Sequence, residues 1–147
     1  MYKVTDFPKR IEIELSNKCN LNCFYCPRRF LVDRDGFIDY NLFKNIIDEI
    51  KAYPESILVL HRRGESLLHP NFTEMLNYVK GKFKKVQLAT NATFMDHEKA
   101  KIMIECLDFI SFSLDIPERY EKIKGIDYQK VLKNIDYFLN SLFLFSL

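Results

Sequence analysis

Three of the chain's four cysteines, Cys19, Cys23 and Cys26, fall within eight residues, at spacings of four and three. Thiolate sulfur is a soft donor suited to zinc and iron–sulfur centres, and close-set cysteines ending in Cys-Pro, as Cys26-Pro27 does, are a pattern of iron–sulfur proteins. Three thiolates on a cubane cluster leave one iron without a protein ligand, an open position for chemistry on a bound molecule. A structural zinc site wants a fourth ligand instead. His61 or His69 could supply one, though neither stands in a pattern that singles it out. Cys106 lies in a stretch of helical period, 102–107, where a buried structural thiol is expected. On these residues alone, cluster and zinc both stay open.

A site of this kind needs a scaffold, and the composition allows one. The 147 residues are 48% apolar with four Gly and five Pro, which reads as one compact domain over 1–147 that needs no disulfide staple. The 22 Lys and Arg nearly balance 20 Asp and Glu, without a basic block, so no nucleic-acid partner is expected. No apolar run approaches the roughly 20 residues that span a bilayer and no secretion signal is read, so no membrane partner is expected and a cytoplasmic location is. There, cysteines stay reduced or bind metal.

Short apolar runs alternate with longer stretches of helical period, the signature of repeated βα units. Four strands are expected at 10–15, 56–61, 85–90 and 109–114. Helix starts are expected at Asp39 or Asn41, Asn71, Asp96 and Asp127, with Asn71 the strongest because Glu74 follows by three and Phe72, Leu76 and Val79 form a stripe. Right-handed crossovers then require part of a β/α barrel or an open doubly wound sheet.

Side-chain parity favours the barrel. Ile11, Ile13 and Leu15 oppose Glu12, Glu14 and Ser16; Val86 and Leu88 oppose Gln87, Ala89 and Asn91; Ile110, Phe112 and Leu114 oppose Ser111, Ser113 and Asp115. A sheet covered by helices on both faces would read as continuously apolar. One polar face fits a curved sheet whose inner side lines a wet cavity, and Glu12, Glu14 and Gln87 there would suit a polar substrate unless they are solvated or paired together.

With these residues set out, the chain resembles the radical S-adenosylmethionine (radical SAM) superfamily. CxxxCxxC with Tyr25 before the third cysteine is similar to the family's cluster motif, in the loop after the first strand. Residues 63–70, Arg-Gly-Glu-Ser-Leu-Leu-His-Pro, resemble the GGE segment, with Arg63 at the first Gly; Gly64 would allow close approach and Glu65 would accept the methionyl amino group. Thr90-Asn91-Ala92 is similar to a TNG turn, with Ala92 in place of Gly. Ser113-Leu114-Asp115 resembles a segment that reaches the cofactor's ribose and carboxylate, and Tyr120, Lys124-Gly125 and Val131 fit a subgroup that modifies peptides or builds the molybdopterin precursor.

The resemblance implies an α/β fold, a partial (β/α) TIM-like barrel with about four βα units of the usual six. It implies a [4Fe-4S] cluster on Cys19, Cys23 and Cys26, and S-adenosyl-L-methionine contacted by Tyr25, Gly64, Glu65, Thr90, Asn91, Ser113 and Asp115. It also implies an external electron donor and a peptide or small-molecule substrate. The apolar end, 141–147, is expected to be a contact surface, so the domain reads as C-terminally truncated: a fragment, a truncated open reading frame, or a chain whose barrel a partner chain would complete. A non-catalytic binding module and a zinc-stabilised domain are the alternatives.

Overall fold

A computed structural model describes residues 7–31 and 36–145. Four strands, β1 (Arg10–Glu12), β2 (Ile57–Val59), β3 (Lys85–Thr90) and β4 (Phe109–Phe112), form one all-parallel sheet in the order of the chain. Between them run helices α1 (Arg28–Leu31), α2 (Tyr40–Ile50), α3 (Phe72–Val79) and α4 (His97–Cys106); α5 (Tyr120–Lys124) and α6 (Tyr128–Phe145) follow β4. The chain is thus a run of four βα units whose helices pack in sequence, α2 on α3, α3 on α4, α4 on α6.

The register explains why the sheet has two unlike faces. Glu12, Val59, Gln87 and Phe109 stand in one row across it, and Ile11, Leu58 and Val86 in the next. The helix-covered face buries Ile13, Leu15, Leu58, Leu60 and Leu88 against Phe43, Ile47, Met75, Leu76 and Met103. Cys106 is buried in this core, as a structural thiol should be. On the other face the polar groups hold one another: Arg10 bonds both Glu12 (3.0 Å) and Gln87 (3.2 Å), and Arg63 grips Glu14. Those three acceptors are therefore already paired within the chain.

Three strands are shorter than the sequence implies. Beyond β1 and β2 the pairing continues only as single bonds, Ile13 N to Val59 O (2.8 Å) and Leu60 N to Gln87 O (2.9 Å). Past β4, Ser113 N donates to Thr90 O at 2.8 Å. The chain then passes into loops at the C-terminal ends of the strands, while Ile13, Leu15 and Leu60 stay in the core. Two parity expectations fail here: Ser16 is buried in the loop, and Leu114 is exposed because only β3 pairs with β4 among the described residues.

Caps follow the expectation at Asp39, Asp96 and Asp127, whose carboxylates accept from Leu42 N, Lys99 N and Gln129 N. Asn41 lies inside α2. Asn71 does not cap α3: its φ of −101° and ψ of 30° are not the extended geometry a capping side chain needs. Its own N–H is tied instead to His69 Nδ1 at 3.0 Å. The unpredicted α5 carried a legible signal, Pro117 just ahead of it and Gly125 in the left-handed region (φ 77°) just after.

At the open side of β4, Ile110, Phe112, Phe138, Leu139 and Leu142 line an apolar groove. Of the expected apolar end, Ser141 is buried and Leu142 partly so; the side chains of 143–145, and residues 146–147 altogether, lie outside the described part. No described helix is long and apolar enough to cross a membrane.

Candidate cluster and cofactor site

The cysteine loop leaves β1 and is tied down by main-chain bonds on three sides. Ser16 forms an isolated antiparallel bridge with Phe37. Glu65 N donates to Lys18 O at 2.7 Å, and Phe24 N donates to Ile123 O at 3.1 Å. Gly64 is what permits the second contact. A Cβ there would lie 2.2 Å from Ser16 O and 2.5 Å from Lys18 O, so the glycine lets two stretches of this chain's own backbone pass.

Within the loop, Cys26 N donates to Cys23 O at 3.1 Å, closing a turn that keeps these two residues together. Cys19 Sγ accepts from Leu21 N (3.5 Å) and from Asn91 Nδ2 (3.8 Å). Burial pushes the Cys19 and Cys23 thiols above their ordinary range; each is further raised by a neighbouring cysteine, Cys19 by Cys23 and Cys23 by Cys26. Three thiols in one loop, with amide donors on the Cys19 sulfur, are a donor set that fits a cluster, whose irons take separate thiolate ligands. Among the described residues no three His, Cys, Asp or Glu side chains close around a single ion. His69 has both ring nitrogens engaged, by Ile38 O (2.9 Å) and Asn71 N, and His61 Nδ1 accepts from Ala89 N (2.9 Å), so neither histidine stands ready as a fourth zinc ligand.

Cys19, Cys23, Gly64, Glu65, Thr90, Asn91 and Ser113 all line one cavity at the C-terminal ends of the strands. Its floor is a carboxylate with every near donor committed to it. Glu65 Oε1 accepts from Thr90 Oγ1 (2.7 Å) and Leu67 N (3.0 Å), and Oε2 accepts from Asn91 N (2.8 Å). Burial raises its pKa despite these bonds. Ala92, where the resembled turn carries Gly, takes φ 58°, the left-handed conformation that glycine adopts freely.

Tyr25, Asp115 and Cys26 stand apart from that cavity's lining. Tyr25 OH donates to Asp115 Oδ2 at 2.6 Å, and Lys124 Nζ reaches the same oxygen at 2.9 Å. The Tyr25 bond and then the ammonium hold Asp115 below the usual carboxylate range. Burial works against the Lys124 charge, yet its bonds to Tyr25 and Asp115 and the charge at Cys23 raise it well above an ordinary lysine. The resemblance had pointed to the Lys124-Gly125 pair without a role; burial of the ammonium is what the sequence hid. Arg63, at the position of a family glycine, donates to Glu14 through its backbone N–H (2.8 Å) and guanidinium (2.7 and 3.1 Å), tying the loop after β2 to the end of the first strand's extended run. Burial raises the Glu14 pKa, but the Arg63 bonds outweigh it and the net shift is downward.

A parallel βα sheet carrying a thiol-rich loop at the C-terminal strand ends defines a barrel-type α/β protein with a cofactor site on that face. The family model described as the radical SAM superfamily matches residues 13–143, and the chain belongs to that superfamily. It is 28% identical over 138 residues to the tungsten-containing aldehyde ferredoxin oxidoreductase cofactor-modifying protein of Pyrococcus furiosus, covering 88% of this chain and 39% of that protein. It is 33% identical over 97 residues to the antilisterial bacteriocin subtilosin biosynthesis protein AlbA of Bacillus subtilis, covering 65% of this chain and 21% of that one. Streptococcus suis SuiB bound to S-adenosylmethionine superposes with a TM-score of 0.71 at 20% identity, over 90% of this chain and 31% of SuiB. The chain thus spans less than half the length of these relatives. Members of the superfamily bind a [4Fe-4S] cluster and S-adenosylmethionine.

Proposed function

We propose that this chain holds a [4Fe-4S] cluster on Cys19, Cys23 and Cys26 and seats S-adenosylmethionine in the cavity beside it. The three cysteines would hold the cluster, and the chemistry it would supply when bound is one-electron reductive cleavage of the sulfonium carbon–sulfur bond, to methionine and a deoxyadenosyl radical that would take hydrogen from a substrate. The observation that carries this reading is the convergence of Cys19, Cys23, Gly64, Glu65, Thr90, Asn91 and Ser113, drawn from four strand ends, on one cavity.

The residues have distinct parts in it. Gly64 and Glu65 keep the loop after β2 against the cysteine loop, and Glu65 orders Thr90 and Asn91 while offering its Oε2 face to an ammonium group. Ser113 presents a hydroxyl at the rim, for a ribose or carboxylate. Tyr25 and Asp115 close the far side of the cysteine loop as a bonded pair. The substrate class is a peptide or small polar molecule, a reading supported by likeness to a subtilosin biosynthesis protein, and an external carrier delivers the electron.

Anaerobic reconstitution followed by iron and sulfide analysis tests the centre. A brown protein with about four irons is expected, and replacing any one of the three cysteines by alanine should abolish it; a colourless protein with stoichiometric zinc defeats the assignment. Reduction with S-adenosylmethionine should then release deoxyadenosine. Cluster and cofactor bound without deoxyadenosine would instead support a non-catalytic binding module.

A further inference from the structure

The cavity at the strand ends is also lined by His61, Arg62 and Arg63, three successive residues past β2 that the cluster and cofactor leave unused. Arg63 is committed to Glu14 through its main-chain N–H and its guanidinium. The other two are not.

His61 is half-buried, and a main-chain donor fixes its ring. In a regular parallel ladder the residue whose N–H bonds Gln87 O would offer its own carbonyl to Ala89 N, and that residue is Leu60. Here the Ser66 hydroxyl has taken Leu60 O (2.7 Å), and Ala89 N donates to His61 Nδ1 instead (2.9 Å). A neutral imidazole that accepts at Nδ1 carries its proton on Nε2. Burial, and after it the Arg10 charge, hold the ring's pKa below its ordinary value, which keeps it neutral in that tautomer. The Nε2–H is thus a donor that the β3 main chain does not use. Arg62 is exposed at the cavity's rim and makes no hydrogen bond or ion pair with a described residue. Glu14, whose pKa its charge helps to lower, is already gripped by Arg63.

Nearby acceptors are committed. Glu65 has three donors on its two oxygens, and Arg10 and Arg63 hold Glu12, Gln87 and Glu14. This side of the cavity therefore offers two donors, one of them a fixed positive charge. A guanidinium binds carboxylate or phosphate through paired N–H bonds, and a neutral N–H beside it adds a further bond.

We propose that Arg62 and the His61 Nε2–H recognise an anionic oxygen group, a carboxylate or a phosphate, on the substrate. This rests on the reading that the cavity seats S-adenosylmethionine and a substrate beside the cluster, and it narrows that substrate from polar to anionic. Both residues set specificity: they hold a group that does not itself react.

The test is calorimetric titration of the iron-reconstituted protein saturated with S-adenosylmethionine. The probes are inorganic phosphate, a capped Ala-Glu-Ala tripeptide and its capped Ala-Gln-Ala counterpart. The parent should bind phosphate or the glutamyl peptide, whichever carries the right anion, and should bind the glutaminyl peptide at least about tenfold more weakly than that anion. Arg62→Gln should weaken the bound anion about tenfold or more, Arg62→Lys by less, and His61→Phe about fivefold. His61→Phe also takes the acceptor from Ala89 N; should it fail to fold, Arg62→Gln, a change at an exposed side chain, carries the test unaided. Equal binding of the two peptides with no phosphate bound overturns the inference, as does parent-like anion affinity in Arg62→Gln. A tenfold loss of S-adenosylmethionine affinity in Arg62→Gln would place the guanidinium on the cofactor's own carboxylate and overturn it too. A parent with full iron and bound S-adenosylmethionine that holds neither anion overturns this inference alone. A parent that takes up no iron overturns the functional reading and this inference together.

Discussion

Glu65 and Asp115 are both carboxylates at strand ends, both matched to cofactor-contacting segments, and the structure puts them in opposite conditions. Glu65 sits under the loops after β2 and β3, sealed from water and served by three neutral donors, so burial dominates and its proton is held more tightly. Asp115 sits past β4, where a phenol and a buried ammonium share one oxygen and keep it ionised. Neutral hydrogen bonds fix a carboxylate in place without repaying the loss of water; a partner cation does repay it. The first region is therefore a rigid staple and the second an electrostatic one.

Gly64→Ala should do most to break the first region, because its new methyl must displace main-chain oxygens rather than a side chain. A loss of about 3 kcal/mol in urea denaturation is expected, with the cysteine loop unable to close. Parent-like stability would show that the two loops can part at no cost. Next comes Asp115→Asn, which leaves the buried Lys124 ammonium without its counter-charge; about 2 kcal/mol should be lost.

Proton titration sharpens the contrast. Asp115 has a folded pKa below its ordinary 3.8, so its contribution is present above that value and disappears as pH falls through the folded pKa. Glu65 runs the other way. Its folded pKa lies above 4.5, so stability is greatest below that value and declines as pH rises from there through the folded pKa, at up to about 1.4 kcal/mol per pH unit. Glu65→Gln should flatten that upper slope and leave the acid one in place; identical profiles in parent and variant would mean Glu65 titrates normally. The smallest effect is expected at Ala92→Gly. Releasing a left-handed alanine gains about 1 kcal/mol, partly offset by chain entropy and a lost buried methyl, so the melting temperature should rise slightly.

Much of this was readable in advance, because spacing and period are local properties. The βα alternation and caps such as Asp39 and Asp96 each depend on residues a few positions apart, and the structure shows them as read. Asn71 misled because its backbone, φ −101° and ψ 30° with the N–H bonded to His69 Nδ1, is not the extended geometry of a capping residue. The strand ends misled for a related reason: apolar alternation continued to Leu15 and Leu114 after regular pairing had stopped, and pairing depends on the neighbouring strand.

Residue type and interval alone determined that a triplet of thiols would follow a first strand and that the sheet would have one polar and one apolar face. Only the tertiary structure decided that Glu14, Glu12 and Gln87 are already paired, that Gly64 yields to the chain's own backbone, and that Tyr25 meets Asp115 ninety positions away. The reason is physical. A periodic pattern states which way a side chain points, whereas a partner's identity, and with it a group's charge, is set by which loops the strand register brings together.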